Sequence, residues 1–304
     1  MAQDRLIRWA LSVTSLTQEQ QQACLAFTAL LPPAEQTRIR KFVHTVDALR
    51  SLVGQLLARL AILSFLPAGT RWAEVEIQRN DEWKPYLVSP AVPNLLFNVS
   101  HQGDWVVLLA GHAQLLGVDV ARTEMTAAQK LSSYFSYFPH VFTDREWEYI
   151  RGYRKTDDEE GCAEELPTGA FHVDLAILPE SQVQQLHRFH QMWALKESYI
   201  KAIGRGLDAN LRHIEFSVPE GHVISLDPGH VEREITLSVD GEEKPECLLT
   251  LSYLDALHPI ATCHVRAATA GPGQPAAPLA GDEDGQWFKE RTWAELESSI
   301  RKVQ

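Results

Sequence analysis

The sequence predicts an α+β fold made of two similar halves, and three features of its pattern support this. Each half opens with a short apolar strand, Leu6–Val13 in the first and Leu115–Val120 in the second. Stretches with apolar residues at the helical period of 3.6 follow each strand. Runs with strand character then close each half, as in folds that combine helices with an antiparallel sheet. We expect residues 1–115 and 116–267 to form the two subdomains.

The first half has clear helix boundaries. Thr17 is placed to cap a helix, and Gln20 three residues later completes a capping box. The stretch Pro33–Leu66 predicts two successive helices, which Pro67 ends. Gly103 is typical of a tight turn between two strands. The strands predicted in this half are Val75–Arg79, Leu95–Val99 and Trp105–Ala110.

The second half alternates helices and strands in the same way. Its longest helix is predicted over residues 181–203, where Gly204 and Gly206 stop it. Two shorter helices are predicted at Thr126–Phe138 and Thr143–Arg151. The predicted strands are Ile214–Val218, Val223–Leu226, Glu234–Val239, Leu248–Leu254 and Ile260–Arg266.

Two segments fall outside this pattern. Residues 155–169 hold six acidic residues with Gly and Pro, which predicts an inserted, solvated loop. Residues 268–304 begin Ala/Gly/Pro-rich and then become acidic, which predicts a disordered tail. Within this tail, Trp287–Val303 could form a short amphipathic helix. We expect both segments to be dispensable for activity.

The charge of the chain is uneven and argues against nucleic-acid binding. The formal net charge is −12, whereas nucleic-acid-binding domains are basic. Residues 1–115 hold 10 Lys and Arg against 9 Asp and Glu, a balance of +1. The remaining residues hold 18 against 31, a balance of −13. An anionic ligand is therefore better accommodated by the first half.

We predict a cytoplasmic protein that does not enter a membrane. No apolar run approaches the roughly 20 residues that a membrane span needs. Asp4, Arg5 and Arg8 lie where a secretory signal would need its apolar stretch. The cysteines show no CxxC spacing, which favours free thiols in a reducing compartment. They are Cys24, Cys162, Cys247 and Cys263.

The predicted helix 181–203 carries a charged pair with two interpretations. Glu197 and Lys201 lie four residues apart, so both project from one helix face. Taken alone, the pair fits an ordinary ion pair on a solvated face. The neighbouring positions of Trp193–Gly204 are mostly apolar or small, which instead indicates burial. A buried carboxylate and ammonium need partners, and a metal with a phosphate would satisfy both.

Asp119 and His101 are also open to two interpretations each. Asp119 interrupts the apolar strand Leu115–Val120, where it either lies at the strand end and caps the next segment or binds a ligand. His101 follows a strand and precedes a tight turn, where it either bonds to backbone or serves a site. The order in which these segments occur along the chain favours a common site.

In that order, Asn98–Asp104, Gly117–Asp119 and Trp193–Lys201 resemble the 4′-phosphopantetheinyl transferase family of the larger, Sfp-like type. That family has a Gly-apolar-Asp strand and a Trp-x-x-Lys-Glu-(Ser/Ala)-apolar-x-Lys helix. The likeness is strongest to its animal members, which serve aminoadipate-semialdehyde dehydrogenase and fatty-acid carrier proteins. It spans about residues 7–266 without the acidic insertion. Further shared segments are Arg38-Ile39-x-x-Phe42-Val43, Gln78-Arg79 followed by Lys84-Pro85, and Phe142-Thr143-x-x-Glu146-Trp147.

The resemblance implies a fold, an activity and partners. The fold is two α/β subdomains in a pseudo-twofold arrangement, with the active site in the cleft between them. The activity is Mg²⁺-dependent transfer of 4′-phosphopantetheine from coenzyme A to a serine of acyl or peptidyl carrier protein domains, with release of 3′,5′-ADP. The implied acceptors are apo acyl carrier protein, fatty acid synthase and aminoadipate-semialdehyde dehydrogenase types. The enzyme is expected to be a monomer.

The resemblance also implies which residues bind coenzyme A. Arg38, Arg79 and Lys84 would bind its phosphates, notably the 3′-phosphate on the ribose. His101 would donate to a phosphate. The nucleotide and pyrophosphate site would be lined by Asn98, Val99, Ser100 and His101.

The implied metal site contains two acids. Asp119 and Glu197 would hold Mg²⁺, and Lys201 would contact the pyrophosphate. Many Sfp-like members carry a second acid two positions after the metal-binding Asp, whereas this chain has Ala121 there. Gln102 or water could fill that position, because Mg²⁺ usually keeps several waters.

The implied reaction needs a base and stabilisation of the leaving group. Glu197, or a water that it positions, is the candidate base for the carrier serine. Lys201 and His101 would stabilise the leaving 3′,5′-ADP, beside the metal held by Asp119. The alternative is a non-catalytic module that binds coenzyme A or a carrier protein. His187 and His190 form an i, i+3 pair with no acid or Cys nearby, a pattern more typical of surface positions than of a metal site.

Overall fold

The computed structural model describes residues 5–125, 130–152, 174–206, 210–267 and 287–304. Over these ranges the chain has a mixed α/β fold, and none of the helices described is long and apolar enough to cross a membrane. The helices are α1 (Gln18–Ala26), α2 (Pro33–Arg40), α3 (Thr45–Leu63), α4 (Leu131–Phe135), α5 (Asp144–Arg151), α6 (Glu180–Ile203) and α7 (Trp293–Val303). The strands are β1 (Leu6–Ser12), β2 (Glu76–Arg79), β3 (Pro85–Ser89), β4 (Leu95–Gln102), β5 (Trp105–Val120), β6 (Ile214–Ser217), β7 (Val231–Glu232), β8 (Thr236–Val239), β9 (Glu242–Glu243), β10 (Leu248–Tyr253), β11 (Pro259–Arg266) and β12 (Lys289–Glu290).

Strand β5 is the centre of the main sheet. The described strands of this sheet follow the order β12-β1-β5-β11-β10-β7, and β4 also pairs with β5. The first part of β5 pairs with β1 and β4, and its last part pairs with β11. Two further sheets are small: β2 pairs with β3, and β8 pairs with β6 and β9. One long strand thus joins elements from both ends of the chain.

The prediction of separate strands at Trp105–Ala110 and Leu115–Val120 is wrong, because both belong to β5. Gly111 and the polar residues after it suggest a turn, but the strand continues because it exchanges its pairing partners there. The predicted boundary between residues 115 and 116 therefore lies inside β5. The division into two subdomains stays a prediction.

Two apolar cores pack against the first and the last part of this shared strand, and a third contains the alternate side chains of β5, such as Val107 and Val118, with Trp287. The first packs α1 and α3 against β4 and the first part of β5, and its centre is Leu52, Val53, Leu56 and Leu57. The second packs α5 and α6 against β10 and β11. The capping box of α1 is confirmed, because Gln20 N donates to Thr17 Oγ1 over 3.2 Å and Thr17 N donates to Gln20 Oε1 over 2.9 Å. The two helices predicted within Pro33–Leu66 are confirmed as α2 and α3.

A buried ion pair ties α5 to α6. Lys196 Nζ lies 2.8 Å from Glu146 Oε2, and both side chains are almost fully buried. The other Glu146 oxygen accepts a hydrogen bond from Phe216 N over 2.9 Å, and Thr143 N donates to Glu146 Oε2 over 2.8 Å. Lys196 Nζ also donates to Leu211 O over 2.9 Å. The charges are thus fully partnered, which a buried pair requires.

The C-terminal segment, residues 287–304, differs from the predicted disordered tail. Its strand β12 adds to the edge of β1 in parallel, and Arg291 N donates to Ala10 O over 2.7 Å. Its helix α7 confirms the short helix and buries Leu296 and Ile300 completely in the first core. The ring of Trp293 meets that of Phe27 edge to face at 5.4 Å. The prediction missed this packing because the docking surface lies almost the whole chain length away.

Trp287 connects this segment to both halves. Its carbonyl accepts a hydrogen bond from Arg8 Nε over 2.7 Å, and its indole N–H donates to Thr250 Oγ1 over 3.2 Å. The guanidinium groups of Arg8 and Arg233 lie 4.0 and 4.7 Å from the centre of its ring. Such cation–π contacts stabilise a buried indole.

Other predicted elements differ in extent. The helix predicted at Thr126–Phe138 is limited to Leu131–Phe135 among the described residues, and residues 126–129 lie outside them. The strand predicted at Val223–Leu226 is absent, and Val223 is exposed to solvent. The predicted acidic loop, residues 155–169, also lies outside the described ranges.

His187 and His190 are buried rather than on the surface. His187 Nδ1 lies 3.2 Å from Thr123 Oγ1 and 3.3 Å from Tyr253 Oη, and His190 Nδ1 lies 2.9 Å from Leu186 O. Burial lowers the pKa of each histidine to about 4, and the neighbouring His187 lowers the pKa of His190 further. Both rings are therefore neutral parts of the protein interior.

We predict that Leu296→Ala lowers the free energy of unfolding by about 2–5 kcal/mol, because it leaves a cavity where α7 meets the first core. The control is Lys302→Ala, since Lys302 is exposed on the same helix. Urea unfolding should separate the two variants. Equal midpoints would show that the C-terminal segment contributes no packing energy.

We also predict that stability falls in mild acid because of the buried histidines. Their folded pKa of about 4 lies below the ordinary 6.5, so only the unfolded chain takes up their protons between these values. This contribution is complete above about pH 6.5 and is lost as the pH falls towards 4, by up to about 1.4 kcal/mol per pH unit for each group.

His187→Gln should therefore make the free energy of unfolding less dependent on pH over this range. His140→Gln, at an exposed position, should leave the dependence as in the wild type. Denaturant unfolding at several pH values measures both. Parallel curves for wild type and His187→Gln would contradict the assignment.

Candidate active site

Asp119 is buried on β5, and its carboxylate binds two polar side chains. Ser100 Oγ, on β4, donates to Asp119 Oδ1 over 2.7 Å. Lys201 Nζ, on α6, donates to the same oxygen over 2.5 Å and to Ser100 Oγ over 2.8 Å. Both contacts use Oδ1, and within the described ranges no side-chain hydrogen bond reaches Oδ2. Lys201 is thus paired with Asp119 across the two elements and not with Glu197 along its own helix.

Glu197 lies in the electrostatic field of this pair. The side chain is half-buried on α6, one turn before Lys201. Burial raises the pKa of Glu197, the negative charge of Asp119 raises it further, and the ammonium of Lys201 lowers it in part. The two carboxylates therefore repel each other, which is an arrangement that a bound cation would relieve.

Gly117 explains how α6 comes so close to β5. A Cβ at this position would lie 2.0 Å from Ser198 O and 2.6 Å from Ala202 N. Only glycine leaves room for backbone to approach this closely. The glycine of the Gly117-Val118-Asp119 segment therefore allows Lys201 to reach Asp119.

Asn98 and Val99 serve the structure around the site. Asn98 is buried, and its Oδ1 accepts a hydrogen bond from Val118 N over 2.9 Å. The bond holds the last part of β5, and hence Asp119, beside β4. The side chain of Val99 is half-buried and packs on the first core.

His101 lies near the end of β4 beside two cations. It is accessible to solvent, yet partial desolvation by the surrounding protein lowers its pKa, and the charges of Lys201 and Arg50 lower it further. The imidazole is therefore neutral at pH 7. Arg50, on α3, donates from Nε to Gly103 O over 2.9 Å. Gln102, the last residue of β4, is half-buried next to this turn.

His258 braces the turn between β4 and β5. Gly103 has a φ of 55°, and a Cβ there would lie 2.3 Å from His258 Nε2. Asp255 holds the opposite side of that imidazole, with 2.8 Å between His258 Nδ1 and Asp255 Oδ1. The indole of Trp105 donates to Asp255 Oδ2 over 2.7 Å. These contacts place the turn, and with it His101 and Gln102, on a rigid support.

Lys84 connects the β2–β3 ribbon to the end of α6. Its Nζ donates to Ala202 O over 2.7 Å, one of the carbonyls that a helix leaves unpaired at its C-terminus. Gly204 then ends the helix in the left-handed conformation, with a φ of 71°. Burial lowers the pKa of Lys84. The residue therefore contacts the C-terminal end of α6, although the two are distant in sequence.

Arg38 and Arg79 share one carboxylate, that of Glu35. Arg38 Nε lies 2.9 Å from Glu35 Oε2, and Arg79 Nε lies 3.7 Å from Oε1. Burial lowers the pKa of Arg79, and the positive charge of Arg38 lowers it further. Two cations against one acid leave a net positive charge here, which suits a phosphate.

The structure therefore joins some of the predicted residues and leaves others apart. It brings together Ser100, Asp119, Glu197 and Lys201, with His101 and Lys84 nearby. Among the described residues, no contact joins Arg38 or Arg79 to this group. The residues that the sequence analysis missed are Glu35, Arg50, Asp255 and His258. A charged residue within an apolar helical pattern was the available signal for Arg50.

Among the described residues, the candidate site contains two acidic side chains, Asp119 and Glu197. Within the described ranges no three His, Cys, Asp or Glu side chains are grouped to hold a metal. The position after Val120 is Ala121, and it is buried in the second core. A cation at Asp119 and Glu197 would take its remaining ligands from Gln102, water or substrate.

Comparison with known proteins identifies two adjoining family regions. Residues 16–113 match the family described as 4′-phosphopantetheinyl transferase, N-terminal, and residues 115–247 match the 4′-phosphopantetheinyl transferase superfamily. Together they include all the residues proposed from the sequence to bind coenzyme A or metal.

Individual relatives agree with this. The chain is 32% identical over 258 residues to the L-aminoadipate-semialdehyde dehydrogenase-phosphopantetheinyl transferase of Homo sapiens, covering 84% of this chain and 73% of the relative. It is 30% identical over 246 residues to the phosphopantetheinyl transferase of a Thraustochytrium species, with 81% and 74% covered. It is 30% identical over 209 residues to the 4′-phosphopantetheinyl transferase of Bacillus subtilis, with 66% and 74% covered. The chain therefore belongs to the 4′-phosphopantetheinyl transferase superfamily, whose members transfer phosphopantetheine from coenzyme A to carrier proteins.

Proposed function

We propose that this chain is a Mg²⁺-dependent holo-[acyl-carrier-protein] synthase. It would convert apo carrier protein domains to the holo form and release 3′,5′-ADP. The observation that carries this is the joint placement of Asp119, Glu197 and Lys201 at the interface of β5 and α6. Two acids and a lysine converge there on a solvent-accessible position beside His101, which suits a pyrophosphate with a cation.

The donor set fits Mg²⁺. Asp119 and Glu197 would hold the ion, and Gln102 would supply an oxygen directly or through water. Mg²⁺ commonly binds through one or two carboxylates and keeps several waters, so a third acid is not required. The raised pKa of Glu197 supports this fit, because part of the rise comes from repulsion by Asp119. When bound, Mg²⁺ would neutralise charge on the pyrophosphate.

The side chains of the site then have separate roles. Lys201 would contact the pyrophosphate, and His101, neutral at pH 7, would donate a ring N–H to a phosphate oxygen. Arg50 adds a positive charge beside His101. Fixed donors of this kind stabilise the charge that develops on the leaving group. The backbone from Asn98 to His101 would line the nucleotide and pyrophosphate.

Glu197 is the proposed general base. The carrier serine loses its proton to Glu197, or to a water held by it, and its oxygen forms a bond to the phosphorus that carries pantetheine. The bond from that phosphorus to the bridging pyrophosphate oxygen breaks, and 3′,5′-ADP leaves. A bound Mg²⁺ would lower the pKa of Glu197, so a water that Glu197 positions is the form of this base that fits the proposed metal site.

Arg38, Arg79 and Lys84 are proposed to bind the nucleotide end of coenzyme A, notably its 3′-phosphate. These residues belong to the first half, while Asp119 and Glu197 belong to the second. The ligand would thus lie in a cleft between two pseudo-twofold-related α/β subdomains, the usual kind of place for a small-molecule site.

The proposed acceptors are acyl carrier protein, fatty acid synthase and aminoadipate-semialdehyde dehydrogenase types. The name of the human relative supports the last of these. We further propose a monomeric, cytoplasmic enzyme, in keeping with free thiols at Cys24, Cys247 and Cys263. A non-catalytic binding module is less favoured, because it would have no use for the paired acids Asp119 and Glu197.

We predict that Asp119→Ala and Glu197→Gln each lower the rate of transfer by at least about 100-fold, the scale of a lost general base or charge partner. The assay contains the protein, coenzyme A, Mg²⁺ and an apo acyl carrier protein, and mass spectrometry detects the added phosphopantetheine. Glu220→Gln, an exposed acid, is the control and should retain full activity.

A second measurement separates an effect on metal binding from an effect on the rate of transfer. Mg²⁺ titrated into the protein with 3′,5′-ADP should bind more weakly to Asp119→Ala and Glu197→Gln than to Glu220→Gln. Activity within a few-fold of wild type in either site variant, at saturating Mg²⁺, would rule out the two-carboxylate site.

We predict that Arg38→Ala raises the KM for coenzyme A by about 10- to 100-fold, as expected for a lost charge-assisted hydrogen bond, and changes kcat little. Dephospho-coenzyme A should bind the wild type more weakly and suffer less from the substitution. Arg40→Ala, at an exposed position of α2, is the control. An equal penalty for both ligands would refute the 3′-phosphate assignment.

A further inference from the structure

Trp83 has an unusual position in the turn that joins β2 to β3. Trp83 is 73% exposed to solvent, although large apolar side chains are seldom so exposed. Its φ is 63°, in the left-handed region that bulky residues rarely adopt. Strained backbone and an exposed indole both lower the stability of the folded protein. Such features concentrate where a ligand binds.

Hydrogen bonds hold this turn in one shape. Trp83 N donates to Asn80 O over 2.9 Å, and Asn80 N donates to Lys84 O over 3.1 Å. Lys84 N donates to Asn80 Oδ1 over 2.8 Å. The backbone under the indole is therefore fixed, and the ring is presented by an ordered turn and not by a loose loop.

The same turn carries two of the cations proposed to bind phosphate. Arg79 Nη1 donates to Trp83 O over 3.0 Å, which ties the guanidinium to the residue that bears the indole. Lys84 follows Trp83 directly and reaches Ala202 O at the end of α6. Ala202 in turn follows Lys201. The indole thus lies beside the cations of the nucleotide end and within one short turn of the pyrophosphate-binding helix.

We propose that the Trp83 indole stacks on the adenine ring of coenzyme A. This proposal rests on the proposed function and extends it by one specific contact. In coenzyme A the 3′-phosphate and the adenine are attached to the same ribose, so a group beside the cations that bind this phosphate also lies within reach of the purine. A flat, exposed aromatic ring offers a purine a stacking surface.

The geometry favours the purine over the carrier protein as the partner of Trp83. The carrier serine must approach the phosphorus near Asp119 and Glu197, on the second half. Trp83 is linked instead to Arg79 and Lys84, at the opposite, nucleotide end of the ligand. Asp81 and Glu82, in the same turn, are exposed acids. Their negative charge does not oppose contact with an uncharged purine.

The test uses the full chain with Trp83→Gly and Trp83→Phe. Glycine suits the positive φ, so Trp83→Gly removes the ring without straining the turn, and its thermal unfolding checks this. Trp83→Phe keeps a smaller stacking ring. Tyr137→Ala, which removes an exposed aromatic from the second half, is the matched control.

Trp83→Gly should weaken binding of coenzyme A and of 3′,5′-ADP by about 5- to 100-fold in calorimetry, the range for loss of one base–aromatic stack. It should leave the binding of 4′-phosphopantetheine, which has no purine, unchanged. Trp83→Phe should lose less than Trp83→Gly, and Tyr137→Ala should bind all three as the wild type does. In transfer assays the KM for coenzyme A should rise while kcat stays the same.

Fluorescence provides an independent signature. The chain has eight tryptophans, and the difference between wild type and Trp83→Phe isolates one of them. That difference should be quenched by 3′,5′-ADP and not by 4′-phosphopantetheine.

Equal weakening for ligands with and without a purine, no weakening, or a raised KM for the carrier alone would overturn the stacking proposal. If the wild type binds coenzyme A and transfers its arm while Trp83→Gly is unchanged, only stacking fails. If the wild type neither binds nor transfers, the proposed function fails, and this proposal fails with it.

Discussion

The close contact between α6 and β5 at Gly117 is the constraint on which the rest of the site depends. The helix backbone lies so near the strand that any side chain at Gly117 would overlap Ser198 O. At this separation Lys201 reaches Asp119 across the interface, and Glu197 comes close enough for the charge of Asp119 to raise its pKa. Asn98 and Ser100 then hold β4 to the same stretch of β5. The site therefore follows from one backbone approach.

The sequence indicated that Asp119, Glu197 and Lys201 lie together because each of them belongs to a short local pattern, and the structure places them together. Period and spacing placed Glu197 and Lys201 on one face of a helix, and the apolar context of Asp119 indicated a partnered acid. The family resemblance then connected these distant segments into one site. It assigned the site role to Lys201 and not to Lys196, and the packing gives the physical reason: Lys196 is bound to Glu146 in the interior, while Lys201 is bound to Asp119.

What the sequence could not predict depends on contacts between distant residues. The continuity of β5 past Gly111 depends on its exchange of β1 and β4 for β11, and no local pattern encodes that exchange. The docking of α7 depends on a groove made by α1 and α3, near the opposite end of the chain. His187 is buried, with its ring in hydrogen-bond contact with Thr123 and Tyr253. Its spacing from His190 alone suggested a surface position.

The continuous β5 also limits how the two halves can move. A cleft between subdomains often closes by a hinge at a linker, but the predicted boundary here lies within a strand paired along its length. Trp287 and Lys84 add contacts across the halves at two other places. On the proposed assignment, coenzyme A binds to a preformed framework. Adjustment to the ligand is then confined to side chains such as Lys201, His101 and the exposed Trp83, which can move without changing the sheet.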